Sequence, residues 1–199
     1  MPHTNLQKLI SVPGIGNVRM TKKAGALRLR ISVSPRRGVT VTLPRIMPWS
    51  AGISFLMSKR QWVEEALRRQ ELRQRMAVQD GKTASVPDDP AELERMRERA
   101  RAILAPKLRS AASQYGFSYG RIAIKNNVSN WGSCSTRGNI NLNMRLILLP
   151  EHLQDYVILH ELCHLRHPDH GPQFHALLDS LLGGQEAVLS RELRGWRII

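Results

Sequence analysis

The hydrophobic positions along this chain change period several times, and each change predicts an element. Leu27-Arg28-Leu29-Arg30-Ile31-Ser32-Val33 alternates apolar and polar residues, and so does Val39-Thr40-Val41-Thr42-Leu43. A period of two places one set of side chains on one face of a half-buried strand. Residues 18–43 are therefore expected as strands. The turn-forming stretch Ser34-Pro35-Arg36-Arg37-Gly38 closes a hairpin, and Pro44 and Pro48 end it. From about residue 51 to 78 the spacing lengthens. Phe55, Leu56, Lys59, Trp62, Val63, Ala66 and Leu67 lie close to a 3.6-residue repeat, which predicts one helix with an Arg-, Gln- and Glu-rich far side. Residues 80–90, rich in Asp, Pro, Gly and Ser, are the best linker candidate.

A second helix is expected over about 90–115, with Leu93, Met96, Ala100, Ile103, Leu104 and Leu108 as its apolar stripe. Pro106 inside it predicts a kink or a break, and Gly116 closes it. Residues 121–125 and 139–143 alternate again and predict strands, with 131–138 as a strand entry and turn. Pro150 opens a helix over about 151–167, which Pro168 and Gly171 disrupt. A last helix spans about 172–182 and ends at Gly183-Gly184. This order of elements predicts an α+β protein. Two domains are expected: residues 1–85, a basic β-rich region with a long helix, and residues 86–199.

Composition narrows the class. A chain of 199 residues with 42% hydrophobic content has enough material for a real core. No apolar run reaches the roughly 18–20 residues that span a bilayer, so no membrane partner is expected. The first ten residues lack the apolar core of a signal peptide, and the two cysteines, Cys134 and Cys163, make no disulfide framework. Both points lead to the expectation of a cytoplasmic protein. The net charge of +14 is uneven: residues 1–110 carry 22 Lys and Arg against 9 Asp and Glu, and residues 111–199 carry 8 against 7. The basic character belongs to the N-terminal half, and nucleic acid is one partner such a half can take.

The chemistry is concentrated in His160-Glu161-Leu162-Cys163-His164, an H-E-x-x-H motif that occurs once. A chain of this His and Glu content would contain it by chance about 0.01 times. On a helix, positions i and i+4 share a face, so His160 and His164 can offer two imidazoles to one metal ion, with Glu161 beside them as general base. A catalytic zinc usually takes a third protein ligand and keeps a position open. His167 lies on the same face, but along a helix it stands about 10 Å from His160, too far to share one ion easily. His170 follows the Pro168-Asp169 break, where the chain can turn back under the motif. Glu186, downstream, is the rival. His170 is favoured, giving a site of His160, His164 and His170 around Zn²⁺. The expected reaction is peptide-bond hydrolysis, in which Glu161 takes a proton from a zinc-activated water and passes it to the leaving amine. Tyr156 and Cys163 are expected to pack in the core, and His175 to lie on the surface of the last helix. A strand edge at 121–125 or 131–135 could hold an extended peptide by strand addition.

Beyond the motif, a long run of residues resembles one family. Trp131-Gly132-Ser133-Cys134-Ser135, Gly138, Ile140-Asn141-Leu142-Asn143, Arg145-Leu146, Pro150, Asp155-Tyr156-Val157, His160 to Leu165, and His170-Gly171 with Phe174 resemble the YgjP-like zinc metallopeptidases. The likeness extends over roughly residues 18–182. It implies a minimal zincin-like core, made of a kinked helix, a short sheet, the motif helix and a C-terminal helix, after a β-hairpin-plus-helix leader. It also implies His160, His164 and His170 as zinc ligands and Glu161 as catalytic base. The site spacing is similar to that of SprT-like peptidases, some of which act on proteins bound to DNA. His175 departs from the Trp common in the family, and Asn126-Asn127-Val128-Ser129-Asn130 replaces a more basic stretch. Metzincins share the spacing, but His167 stands at their turn glycine and no Met follows Met144, which excludes them.

A second function class competes, a nucleic-acid-associated protein that works through the basic half. Val12-Pro13-Gly14-Ile15-Gly16 resembles the hairpin of helix-hairpin-helix DNA-binding modules, although the next residues leave little room for a second helix. A third class, a silent zinc-binding scaffold, is disfavoured by the intact Glu161.

Overall fold

The computed structural model describes residues 6–35 and 37–199. The chain divides into two compact units, Met1–Met76 and Ala77–Ile199. Helices and small sheets are mixed in an α+β architecture.

The first unit is built on a four-stranded sheet. Strands β1 (Leu6–Val12) and β2 (Gly16–Lys23) form an antiparallel hairpin. Strands β3 (Arg30–Ser34) and β4 (Gly38–Pro44) form the second hairpin, expected from its alternating pattern. A parallel pairing of β2 with β4 joins the two, giving the order β1-β2-β4-β3. Residues 12–16 are thus the tip of a β-hairpin. Strands flank them on both sides, so the helix-hairpin-helix likeness stops at those five residues. Two helices follow where one was expected: α1 (Trp49–Ser58) and α2 (Arg60–Gln79). Lys59 separates them, with φ −112 and ψ 15, outside the helical region. Val18, Met20, Val39, Val41 and Leu43 from one sheet face join Leu56 and Val63 from the helices in a buried cluster.

The second unit contains β5 (Thr83–Ala84), which lies inside the expected linker and pairs in parallel with β9 (Arg197–Ile198) near the end of the chain. Helix α3 (Pro90–Tyr115) begins where Asp89 accepts a hydrogen bond from the Glu92 N–H at 2.8 Å, with Pro90 in the first turn. It runs unbroken through Pro106 and ends at Gly116, whose φ of 66 is the left-handed cap conformation. Next come β6 (Ile122–Lys125), β7 (Gly132–Cys134) and β8 (Ile140–Asn143). The sheet order is β6-β8-β7, parallel between β6 and β8 and antiparallel between β8 and β7. Both edges of this sheet are therefore the segments expected to offer a strand edge. A 3₁₀ turn at Met144–Leu148 leads into α4 (Glu151–Cys163), then α5 (Pro172–Leu181) and α6 (Glu186–Leu193). Helix α6 adds a second C-terminal helix to the one expected.

Helix α4 is the centre of this unit. Nine of its 13 residues are buried. Leu153, Val157, Ile158 and Leu162 pack with Leu104 and Leu108 of α3, Ile140 and Leu142 of β8, and Phe174 and Leu178 of α5. Each such side chain contributes about 1.5–3 kcal/mol through burial. The motif helix is thus held on several sides, which fixes the direction of the side chains at its C-terminal end.

Candidate metal centre and active site

His160 lies in the last turn of α4, and His164 is its C-terminal cap residue, still in a right-handed helical conformation. The i, i+4 spacing therefore survives to the helix end, and the two rings stand 5.0 Å apart between centroids. Beyond it the backbone tightens, with the Arg166 and His167 N–H groups donating to Cys163 O. The Arg166 guanidinium donates to the carbonyls of Tyr115 and Gly116 at 3.1 and 3.0 Å and lies over the Phe117 ring. This ties the end of α4 to the end of α3. The segment 164–171 then turns back and returns His170 to the motif. His160, His164 and His170 each offer a ring nitrogen, and these atoms lie within 4.8 Å of one another. His160 Nε2 and His170 Nε2 are 3.1 Å apart. Phe174 of α5 sits beneath all three, with centroid distances of 4.9, 4.6 and 4.8 Å to His160, His164 and His170.

These residues fit a divalent metal ion. Two imidazoles on a tetrahedral zinc, each with a bond of about 2.0–2.1 Å, would have their nitrogens roughly 3.3–3.4 Å apart, close to the 3.1 Å between His160 Nε2 and His170 Nε2. The His167 carbonyl lies 3.2 Å from His164 Nδ1, so the tautomer that donates this hydrogen bond leaves Nε2 as the ligand atom. Burial, followed by the neighbouring imidazoles, lowers the His160 pKa to about 3. Burial also leads the lowering at His164. Both rings are thus neutral at physiological pH, the form that binds a metal.

Glu161 is placed differently from the histidines. It is 5% exposed, and burial pushes its carboxyl pKa up to about 7. Its Oε2 has no hydrogen-bond partner among the described residues. On its other side is the backbone of β7. A Cβ built on Gly132 would fall 2.6 Å from Glu161 Oε1 and 2.8 Å from Cδ, so only glycine leaves room for the carboxyl there. Gly132 and Phe174 are the two site residues to which sequence pattern assigns no role. The apolar Phe174 reads as ordinary core, and the need for Gly132 comes from a close approach between segments 29 residues apart in sequence.

The remaining candidates lie outside the triad. Glu186 accepts from His175 Nδ1 at 3.1 Å and is not among the converging ligand atoms. His175 is exposed, and its ring centroid is 6.4 Å from that of His170. Tyr156 is buried in the core, with its ring 6.0 Å from that of His160. Cys163 is buried, and Cys134 on β7 is partly buried. Burial raises the thiol pKa of both, and at Cys134 the Glu161 charge raises it further. Neither thiol is therefore poised as a thiolate ligand or nucleophile.

The model of the YgjP-like family, a metallopeptidase domain, matches residues 88–194. No curated protein matches. Among solved structures, the chain is similar to the metallopeptidase zymogen abylysin of Pyrococcus abyssi, with 19% identity and a TM-score of 0.43, over 49% of this chain and 100% of that one. It is also similar to the zymogen jannalysin of Methanocaldococcus jannaschii, with 22% identity and a TM-score of 0.41, over 45% of this chain and 92% of that one. The family match spans more than half of the sequence and contains the whole histidine cluster, so this chain belongs to the YgjP-like family and is a metallopeptidase.

Proposed function

We propose that this protein is a zinc-dependent peptidase in which His160, His164 and His170 hold the metal and Glu161 is the general base. The observation that carries this reading is the convergence of three imidazoles beside one buried carboxyl with an unpartnered oxygen. A bound zinc supplies Lewis acidity, lowering the pKa of water towards about 7 and polarising a carbonyl. The chain's own residues do the rest. Phe174 and the α4 backbone hold the ring planes, and the His167 carbonyl fixes the His164 tautomer. Glu161, whose Oε2 has no other hydrogen-bond partner among the described residues, would accept the proton of the attacking water and return it to the leaving amine. An extended peptide would lie along β7, the sheet edge that carries Gly132 next to Glu161.

Residues 86–199 are proposed as the metallopeptidase domain and 1–85 as a basic preceding region. No helix among the described residues is long and apolar enough to cross a membrane. The two free cysteines fit the proposal of a cytoplasmic location. The test uses His170→Ala. Wild type is expected to bind one zinc per chain, lose hydrolysis of an unfolded protein substrate on chelation and regain it on adding zinc. His170→Ala should bind zinc at least about 10-fold more weakly, since it loses one of three ligands. Unchanged zinc affinity in His170→Ala would assign the third ligand elsewhere.

A further inference from the structure

We infer that the open face of the β1-β2-β4-β3 sheet is a binding surface for the phosphate backbone of duplex nucleic acid. Residues 1–63 contain 11 Lys and Arg and no Asp or Glu. A run of this kind cannot neutralise itself, and its topology determines where the charge goes. Cross-strand partners share a face of a sheet. Val18, Met20, Val39 and Val41 are buried on the helix-covered face, so the alternate positions make the other face. Arg19, Thr21 and Lys23 of β2 stand there, beside Thr40 and Thr42 of β4 and Arg30 of β3. Arg30 pairs with Thr42, which in turn pairs with Thr21, so one row crosses three strands. The three cations are exposed. Among the described residues none of them takes part in an ion pair. Lys22 differs: it points to the helix side, where its ammonium lies 5.0 Å from the Trp49 ring centre.

The residue types on this face select the occupant. Arg, Lys, Thr, Ser and Asn side chains are the ones that contact phosphate and sugar. A protein partner would favour an apolar and aromatic centre, and among the described strand residues of this face only Leu9 of β1 is a large apolar side chain. A membrane surface would favour apolar groups for insertion beside the cations. Single strands are typically held by stacking bases on aromatic rings, and no aromatic residue occupies the outward positions of these strands. What remains is sequence-independent contact with a duplex backbone, strongly weakened by salt. This inference rests on the first unit and does not depend on the peptidase proposal.

The experiment titrates the full chain with a fluorescent DNA duplex of about 20 base pairs at several salt concentrations. Wild type should bind. The combined variant Arg19→Gln, Lys23→Gln and Arg30→Gln should lower the log–log salt slope by about 2.7, at about 0.9 per lost phosphate contact. A control that removes equal charge from exposed positions of α3, Arg99→Gln with Arg101→Gln and Arg109→Gln, should keep the wild-type slope. Glu161→Gln should bind like wild type, which separates this test from the catalytic one. No binding at about 50 mM salt, an equal effect of the control, or tighter binding to polyglutamate, anionic vesicles or an oligo-dT strand would overturn the inference.

Discussion

Gly132 on β7 and Glu161 on α4 face each other at a distance that admits no side chain between them. Gly132→Ala should therefore displace the carboxyl while leaving the three histidines in place. The expected result is a fall in kcat of at least about 10-fold with zinc content unchanged, and overpacking that costs about 1–3 kcal/mol. Adding Glu161→Asp, one methylene shorter, should recover part of the lost thermal stability. Additive losses in the double variant would show that the two residues do not collide. The burial that raises the Glu161 pKa to about 7 also has a sign in stability. Its folded pKa lies above the unfolded value of about 4.3, so its contribution is fully present below that value and is lost as pH rises through about 7. In the metal-free protein, Glu161→Gln should therefore be more stable than wild type at pH 8, by up to about 3–4 kcal/mol, and nearly equal to it at pH 4. Urea melts with chelator at both pH values check this. At this scale the H-E-x-x-H residues are legible because the helix repeat itself brings them together. Gly132 is not, because its role exists only where two distant segments meet.

Phe174 connects α5 to the metal centre, and its position explains how a short helix can matter to the chemistry. The ring is fully buried against all three imidazoles. Phe174→Ala should cost about 3–5 kcal/mol and weaken zinc binding, whereas Phe174→Leu should keep most of both. Thermal melts and a zinc titration of the two variants decide it. Equal zinc affinity in Phe174→Ala and wild type would limit the residue to packing. The elements themselves were unevenly legible. The β3–β4 hairpin and α3 follow from clean periodicity, and α4 from Pro150 at its start with Pro168 and Gly171 beyond its end. Strand β1 did not stand out, because Leu6, Leu9, Ile10 and Val12 do not alternate. As an edge strand it leaves Leu6 and Leu9 exposed. The break at Lys59 has no proline or glycine to announce it. Helix α6 has only eight residues, too few for a periodic signal, and β5 and β9 have two each.

Over the whole molecule, charge and chemistry fall in different units. The histidine cluster and the family match lie in Ala77–Ile199, and the carboxylate-free run lies in Met1–Met76. The charge asymmetry was plain from counting residues. The face on which the cations gather needed the strand register, and above all the parallel β2–β4 pairing, which no local pattern encodes. Catalysis and the proposed duplex contact should accordingly respond to different substitutions. The central claim is that three histidines hold zinc while Glu161 moves the proton. It is tested most directly by measuring zinc content and hydrolysis of an unfolded protein substrate side by side in wild type and Glu161→Gln. One zinc per chain in both proteins, with hydrolysis reduced at least about 100-fold in the variant, is the predicted result. Hydrolysis by Glu161→Gln at the wild-type rate, with zinc bound, would contradict it.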